Sequence, residues 1–561
     1  MIEMTGKQAL MEQLAAEGVR HVFGNPGTSE QPFMDLLQDY PQFQYILALQ
    51  EAVAVGMADG YAWASGRPAF VQLHIAPGLG NAMGLLYNAR RTGTPLVIYA
   101  GQHEPAGVVQ EAMLAADLVR LAEPLTKWAV EVHNASDIPT VLRRAFKVAS
   151  EPPSGPVFIS IPTSVMDQTA EMSIAPATRT RWQVRPDPEA IQEAAAILAD
   201  ARSPVIVCGD GVATSGAVTE AVQLSEMLGA TVHSSFGVQL TFPFDHPLYL
   251  GLLNLIRPAG LRSQLAQADV VLILGSAAFP VLFALPESPF AAETKVIQMH
   301  PSPWELSKNW PATLAVVADP LLGLRDLLAV LPDRLSPAAR RAADARLQAA
   351  RDQRARVDES LESLATQPNW DAVPIVVPRL MKELADCLEP GTIVFDEGIT
   401  ASAYLPRYLK LNRPGTYFRT AGGGLGGGLP GALGVKLARP ESPVVGVVGD
   451  GAAMYTIQVL WTAAHHHIPV TYVICNNASY RILKLNMLDY LGEAAARRRF
   501  IAMDLTDPLL DFARIAEAFG VRGQRVEHPD ELGPALRAAL GAGEPALVDV
   551  VIEGAVGGMM L

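Results

Sequence analysis

Cysteine is scarce in this chain: Cys208, Cys387 and Cys475 are the only three in 561 residues. They lie far apart, each in or beside an apolar run, with no CxxC or Cys/His spacing, which argues against a zinc site. So few thiols in so long a chain suit a reducing compartment, so a cytoplasmic location is expected. No run of about 18 apolar residues occurs, so no transmembrane helix is expected. The opening MIEMTGKQALMEQLAAEGVRHVFG carries acidic residues and lacks the apolar core of a signal peptide. Basic excess is also missing. The formal net charge is −14, against the basic surface that a nucleic-acid partner requires. What is present is a chain 50% hydrophobic and 18% charged, the balance of a large globular protein.

Short β-branched runs alternate with longer Ala/Leu-rich stretches, the pattern of βαβ units and parallel sheets. Buried strands are expected within 68–78, 95–102 and 156–163, then 204–211, 270–277 and 295–301, then 392–398, 443–451, 469–477 and 545–552. Each run ends in Gly, Asn, His or Asp, where ligand-facing loops leave a parallel sheet. The Pro/Arg-rich stretch 173–190 reads as a linker, and the Ala/Arg-rich stretch 336–370 as a surface helix and tether. The fold class is therefore α/β, three doubly wound parallel-sheet domains near 1–170, 190–335 and 370–561.

The third domain holds Gly449-Asp450-Gly451 directly after the run PVVGVV, then a helical stretch, then the strand PVTYVIC and Asn476-Asn477. This is one βαβ unit, which sets two strand ends side by side. Asp450 supplies an anionic oxygen and Asn477 an amide oxygen that adds no charge to repel a diphosphate. The backbone carbonyl of Ser479 is a third hard donor, a set that suits magnesium shared with phosphates. Gly449 and Gly451 allow close backbone approach to phosphate at a helix start. Gly209-Asp210-Gly211 is a second such triplet, but no Asn pair follows it, and it reads as a strand-end turn. Thr400, after FDEGI, is a candidate either for bonding a diphosphate or for capping the next helix. Glu51 lies between YILALQ and AVAVGMADGYA. It is either a buried carboxylate with a dedicated partner or a half-exposed glutamate at a helix start.

FGNPGTSE (23–30), ILALQEA (46–52), LHIAPGLGNAMG (73–84), TKW (126–128), LPGALG (429–434) and the GDG…NN unit together resemble the thiamine-diphosphate-dependent decarboxylase/carboligase family. Within it they are most similar to the benzoylformate decarboxylase branch, along all three domains. The resemblance implies a pyrimidine-binding, a central Rossmann-like and a diphosphate-binding domain. It implies thiamine diphosphate with Mg2+ (or Ca2+), and a homodimer or homotetramer with Glu51 and the metal cradle of different subunits meeting at the dimer interface. It makes Glu51 the activator of the pyrimidine, His74 the proton-transfer group and Thr28 the contact to the substrate carboxylate. It makes Asp450, Asn477 and Ser479 metal ligands, and Asn25, Thr400, Gly449, Gly451, Ala452 and Tyr480 cofactor contacts. Gly423 offers its carbonyl to the pyrimidine amine, and Leu425 is the wedge that keeps the cofactor bent. Leu282, Ile482, Leu483 and Asn486, with Thr28 and His74, line the substrate pocket.

Two departures matter. The branch carries a second histidine in the central domain. The matching stretch here, GSAAFPVLFALPESP (275–289), has none and puts Leu282 at that place. An alkyl group cannot act as general acid or base. His103, at a strand end, is a candidate replacement; the run His465-His466-His467 is expected at the surface or an interface. Ile482 stands where the branch has a small residue, and Asn486 where it has an aromatic one, which points to a smaller or more polar substrate than an aryl 2-oxo acid. The expected activity is decarboxylation of a 2-oxo acid to an aldehyde and CO2. The alternative is a carboligase or lyase that makes or cleaves 2-hydroxy ketones. A third possibility is a non-enzymatic relative with a nucleotide or FAD on the middle domain. No GxGxxG follows a strand in the manner of an NAD site, and no nucleic-acid or membrane partner is expected.

Overall fold

The computed structural model describes residues 1–255, 257–277, 279, 281, 284–492 and 499–556. The chain divides into two compact units, one of Met1–Thr180, Asp371–Ala403 and Arg419–Leu561, the other of Arg181–Trp370 and Tyr404–Phe418. All ten strands expected from the sequence are present, and with His21–Gly24 and Thr231–Ser234, which were not expected, they form the interiors of three six-stranded sheets. Strands that the sequence reading passed over are short. Trp128–Glu131, Tyr249–Leu252, Leu314–Val317 and Arg522–Val526 are edge or near-edge strands of four or five residues with partly exposed side chains. They carry no continuous apolar run because they are not buried on both faces.

In the first unit one sheet runs Gln44–Leu47, His21–Gly24, Ala69–Leu73, Leu96–Gln102, Val157–Pro162, Trp128–Glu131, every pair parallel. The other runs Ile393–Glu397, Val444–Gly449, Thr471–Asn476, Ala546–Val551, Arg522–Val526, again parallel; its sixth, edge strand is Tyr417–Arg419, at which the chain returns from the second unit to the first. Numbered in chain order, both sheets read 2-1-3-4-6-5, so one topology occurs twice. The second unit's sheet runs Tyr249–Leu252, Thr231–Ser234, Pro204–Cys208, Val270–Leu274, Lys295–His300, Leu314–Val317. That order is 3-2-1-4-5-6, the Rossmann arrangement. Residues 173–187 form no helix or strand, and Pro337–Ser363 is a single long helix capped by the Ser336 hydroxyl.

Two helices of the first unit pack by way of their smallest residues. Glu51–Ser65 begins where the Gln50 side chain accepts from the Ala52 and Val53 N–H groups, and it ends at Gly66 in the left-handed region. It lies against Gly428–Ala438 so closely that a Cβ on Gly434 would sit 1.9 Å from the Met57 carbonyl oxygen, and one on Gly60 2.2 Å from that of Gly431. Glycine is required at both contacts because no side chain fits between the backbones. No helix among the described residues is long and apolar enough to cross a membrane.

Candidate active site

In an open parallel sheet, ligands gather at the carboxyl ends of the strands, where the strand order reverses. In the first sheet His21–Gly24 leads to Asn25 and Thr28, Gln44–Leu47 to Glu51, and Ala69–Leu73 to His74. In the sheet of the third domain Ile393–Glu397 leads to Thr400, Val444–Gly449 to Asp450, and Thr471–Asn476 to Asn477.

Gly449 and Cys475 are register partners, so Asp450 and Asn477 leave neighbouring strands. Asp450 is buried. Its Oδ1 accepts from the Gly451 N–H at 2.7 Å and its Oδ2 from the Ser479 N–H at 3.4 Å. The Asn477 Oδ1 accepts from the same Ser479 N–H at 3.0 Å, and Ala478 between them takes a left-handed φ of 51° that folds the segment back. The Ser479 hydroxyl is committed to the Met503 carbonyl. Burial pushes the Asp450 carboxyl up to about 6, against the pull of the N–H groups of Gly451, Ser479, Ala478 and Asn477. Among the described residues no three His, Cys, Asp or Glu side chains cluster as a metal site. A cation here would therefore have one carboxylate, one amide and backbone oxygens, the hard mixed set that magnesium shares with phosphate. The fit is good: a buried carboxylate with backbone partners alone gains from a cation. Ala452 is buried, and the Tyr480 ring covers Gly451 so closely that a Cβ there would meet it at 2.6 Å.

Glu51 is the first residue of its helix and is only 5% exposed, so it is not a half-exposed helix-start glutamate. Its Oε2 accepts from the Asn81 amide at 3.0 Å and its Oε1 from the Asn25 amide at 3.5 Å. Asn81 lies within the motif LHIAPGLGNAMG, and sequence reasoning passed over it. The signal was its position one helical turn beyond Gly78, where a Cβ would come within 2.9 Å of the Glu51 carboxylate.

His74 rests on a carboxylate that sequence reasoning also missed. Its Nδ1 lies 2.9 Å from Oε2 of Glu30, which is fully buried, and 3.3 Å from the Ser29 hydroxyl. Glu30 in turn accepts from the N–H groups of Gly27 and Gly101 and from the Ser29 hydroxyl. A carboxylate so anchored holds the proton on Nδ1 and leaves Nε2 as the ring's exchanging atom. Gly27 admits this contact, since a Cβ there would sit 1.9 Å from the imidazole Nδ1. Ile75, next in the chain, has a φ of 36°, a strained value for a β-branched residue and a mark of functional backbone. Thr28 is exposed; the hydroxyl that reaches His74 belongs to its neighbour Ser29.

The glycine tract is held from two sides. The Asn88 side chain both donates to the Gly424 carbonyl and accepts from its N–H, each at 2.8 Å. The buried Glu397 carboxylate accepts from Gly426 at 3.0 Å and Gly428 at 2.7 Å. Burial pushes Glu397 up to about 7 despite these donors. Gly423 and Gly426 take φ values of 104° and 96°, and Leu425 sits half-buried between them. Thr400 lies in the turn before Ala401–Ala403 and follows Ile399, another residue with positive φ.

Ile482 and Asn486 are half-buried one turn apart on the helix Arg481–Leu491, whereas Leu483 is 45% exposed. Leu282 lies outside the described residues. The His103 Nε2 contacts the Met113 carbonyl of its own loop at 2.8 Å. The histidine run is not wholly at the surface. His465 and His467 are exposed, but His466 Nε2 accepts from the Leu47 N–H at 3.0 Å while the Thr462 hydroxyl donates to the Leu47 carbonyl. In the second unit, the Asp210 carboxylate of the decoy triplet accepts from Val238 and Gln239 N–H groups, and Gly211 bonds the Gly275 carbonyl, an ordinary strand-end turn.

Three family models match the chain: the N-terminal TPP binding domain of thiamine pyrophosphate enzymes over residues 4–120, their central domain over 191–327 and their C-terminal TPP binding domain over 399–550. A benzoylformate decarboxylase of Pseudomonas aeruginosa is 36% identical, across 97% of this chain and 98% of its own. A putative acetolactate synthase large subunit, IlvX, of Mycobacterium tuberculosis is 32% identical, across 99% and 100%. The solved structure of a thiamine diphosphate-dependent 4-hydroxybenzoylformate decarboxylase from Rhodococcus jostii RHA1 superimposes with a TM-score of 0.85 at 29% identity, across 99% and 100%. With its three matched domains and these full-length relatives, the chain belongs to the thiamine pyrophosphate enzyme family.

Proposed function

We propose that this enzyme decarboxylates a 2-oxo acid to an aldehyde and CO2, with thiamine diphosphate and Mg2+ (or Ca2+) as cofactors. The observation that carries the proposal is the pair of neighbouring strand ends on which buried Asp450 and half-buried Asn477 present oxygen donors beside the Gly451 helix start. Asp450, Asn477 and the Ser479 carbonyl would hold the cation. Gly449, Gly451, Ala452, Tyr480, Asn25 and Thr400 would border the cofactor, the Gly423 carbonyl would meet its amine and Leu425 would support its bent form. When bound, thiamine diphosphate supplies the electron sink for the bond broken as CO2 leaves. Glu51, held by two amides that leave it an acceptor, would take a hydrogen bond from the pyrimidine in a dry setting where such a bond is strong. Thr28 would donate to the substrate carboxylate. His74, oriented by Glu30, would exchange a proton at the carbonyl oxygen through Nε2. Ile482 and Asn486 would shape the pocket. Among the described residues Glu51 bonds Asn25 and Asn81 of its own domain, and pairing of subunits would complete the site, as a homodimer or homotetramer.

One observation favours a second reading: the stretch 275–289 contains no histidine. Without that acid–base, a second aldehyde has longer to intercept, which would make the enzyme a carboligase or lyase of 2-hydroxy ketones. The resemblance to an acetolactate synthase subunit fits this reading as well. Supplying a panel of 2-oxo acids and measuring CO2, aldehyde and acyloin together separates the two. CO2 with free aldehyde supports decarboxylation, and acyloin formed or cleaved without CO2 release rejects it. Failure of the protein to bind thiamine diphosphate in the presence of Mg2+ rejects both.

A further inference from the structure

Arg481 is a buried cation beside the cradle with no acid to match it among the described residues. It is 4% exposed, and it sits between Tyr480, whose ring covers Gly451, and Ile482 of the pocket. Its Nη1 reaches the Glu553 carbonyl at a long 3.4 Å, while its Nε is buried without any hydrogen-bond partner. No carboxylate among the described residues pairs with it. Asp504, on the segment packed against the same helix, is taken by Lys484. Buried arginines are as a rule paired, because an unpaired charge out of water is costly. With Nη1 occupied, the free side of the guanidinium is its Nε edge, the geometry that grips a carboxylate with two parallel hydrogen bonds.

The sheet order fixes which side of the cradle this edge serves. Thr471–Asn476 lies between Val444–Gly449 and Ala546–Val551. The phosphate-approaching turn Gly449–Gly451 follows the first of these neighbours, and Glu553, the Arg481 contact, follows the second. Gly554 packs against the Asn477 carbonyl, where a Cβ would come within 2.7 Å. The guanidinium is therefore beside Asn477 but across the strand from the Gly449–Gly451 turn. It is carried on the same helix, Arg481–Leu491, as the pocket residues Ile482 and Asn486.

Building on the 2-oxo-acid reading above, we propose that Arg481 binds a second carboxylate at the far end of the substrate, so that the preferred substrates are 2-oxo dicarboxylates. The head carboxylate is assigned to Thr28, and Asn486 supplies a polar neighbour for a hydrophilic tail.

The test uses the protein loaded with thiamine diphosphate and Mg2+, and two probes of equal chain length, 2-oxoglutarate and 2-oxopentanoate, that differ in the distal carboxylate. Binding is followed by calorimetry and, where turnover occurs, by KM. The wild-type protein is expected to prefer 2-oxoglutarate by on the order of 10- to 100-fold, the range of a charged hydrogen bond. Arg481→Met should bring the two probes to parity with 2-oxopentanoate binding unchanged, and Arg481→Lys should restore part of the preference. Equal binding of both probes by the wild-type protein overturns the proposal, even if the Arg481→Met protein does not fold. So does an Arg481→Met protein that keeps the preference, or one whose defect is in affinity for thiamine diphosphate, measured by near-UV circular dichroism. Arg481-dependent binding of 2-oxoglutarate without CO2 release would refute the decarboxylase reading and leave the anion site standing.

Discussion

Replacing Glu397 by glutamine tests how the glycine tract is held, and its size can be worked out from the site. The carboxyl is buried and titrates at about 7 instead of near 4.5, because burial outweighs the donors Gly426, Gly427 and Gly428. Between those two pH values the unfolded chain has lost a proton that the folded chain keeps. Stability is therefore complete below about 4.5 and falls as pH rises through about 7. At about 1.4 kcal/mol per pH unit the total is about 3 kcal/mol. Glu397→Gln cannot ionise, so its stability curve should lack this descent. Its –NH2 also replaces an oxygen that can accept in the carboxyl and the carboxylate alike, which strands a buried N–H at a cost of about 1–3 kcal/mol. The two effects oppose each other above pH 7 and separate below it. The cofactor-free variant should be less stable than wild type near pH 5 and close to it near pH 8. Urea unfolding at half-unit pH intervals gives both curves, and the difference between them cancels what Asp59 and Asp450 contribute. Parallel curves for the two proteins would refute the account of Glu397.

Glu51→Gln should abolish turnover while thiamine diphosphate and Mg2+ still bind by circular dichroism; full activity would overturn the assignment of Glu51. Gly434→Ala drives a methyl to 1.9 Å from the Met57 carbonyl oxygen and should cost roughly 3 kcal/mol in denaturant unfolding, since neither helix backbone can yield. Gly27→Ala, at an extended backbone position any residue can adopt, should push the imidazole off Glu30. The ring 15N chemical shifts of His74, which report which nitrogen carries the proton, and a fall in kcat of at least tenfold would report it, and unchanged shifts would count against the Glu30 contact. Ile482→Ala should raise kcat/KM for bulky aryl 2-oxo acids, and an unaltered ratio would show that Ile482 does not line the pocket.

Most of the interiors of the three sheets were legible because strands buried on both faces must be continuous apolar runs; Leu96–Gln102 and Val270–Leu274 announce themselves this way, whereas the interior strands His21–Gly24 and Thr231–Ser234 are too short and begin on a polar residue. Edges such as Trp128–Glu131 were not, because one face is wet and four residues give too little period. In the site, Asp450 and Asn477 could be found because a single βαβ unit fixes their separation. Glu30, Asn81, Asn88 and Glu397 were passed over because their roles depend on partners brought in by folding. Asn88 meets Gly424 across more than 300 residues of chain, and nothing local distinguishes it from any other helical asparagine. The partner of the middle histidine of 465–467 was invisible for the same reason: its acceptor role exists only once Leu47 arrives.

Clasped at its amide by His466 and at its carbonyl by Thr462, Leu47 has no peptide valence left for slack. It stands four residues ahead of the acid that starts the next helix, and its clasps come from the helix Val459–His465 and its C-cap, between Asp450 and Asn477. Solvent exchange at the Leu47 amide is therefore a gauge of that distant helix. Tightening the helix with cofactor should slow exchange at a peptide in the opposite domain, and the same route carries any loosening back.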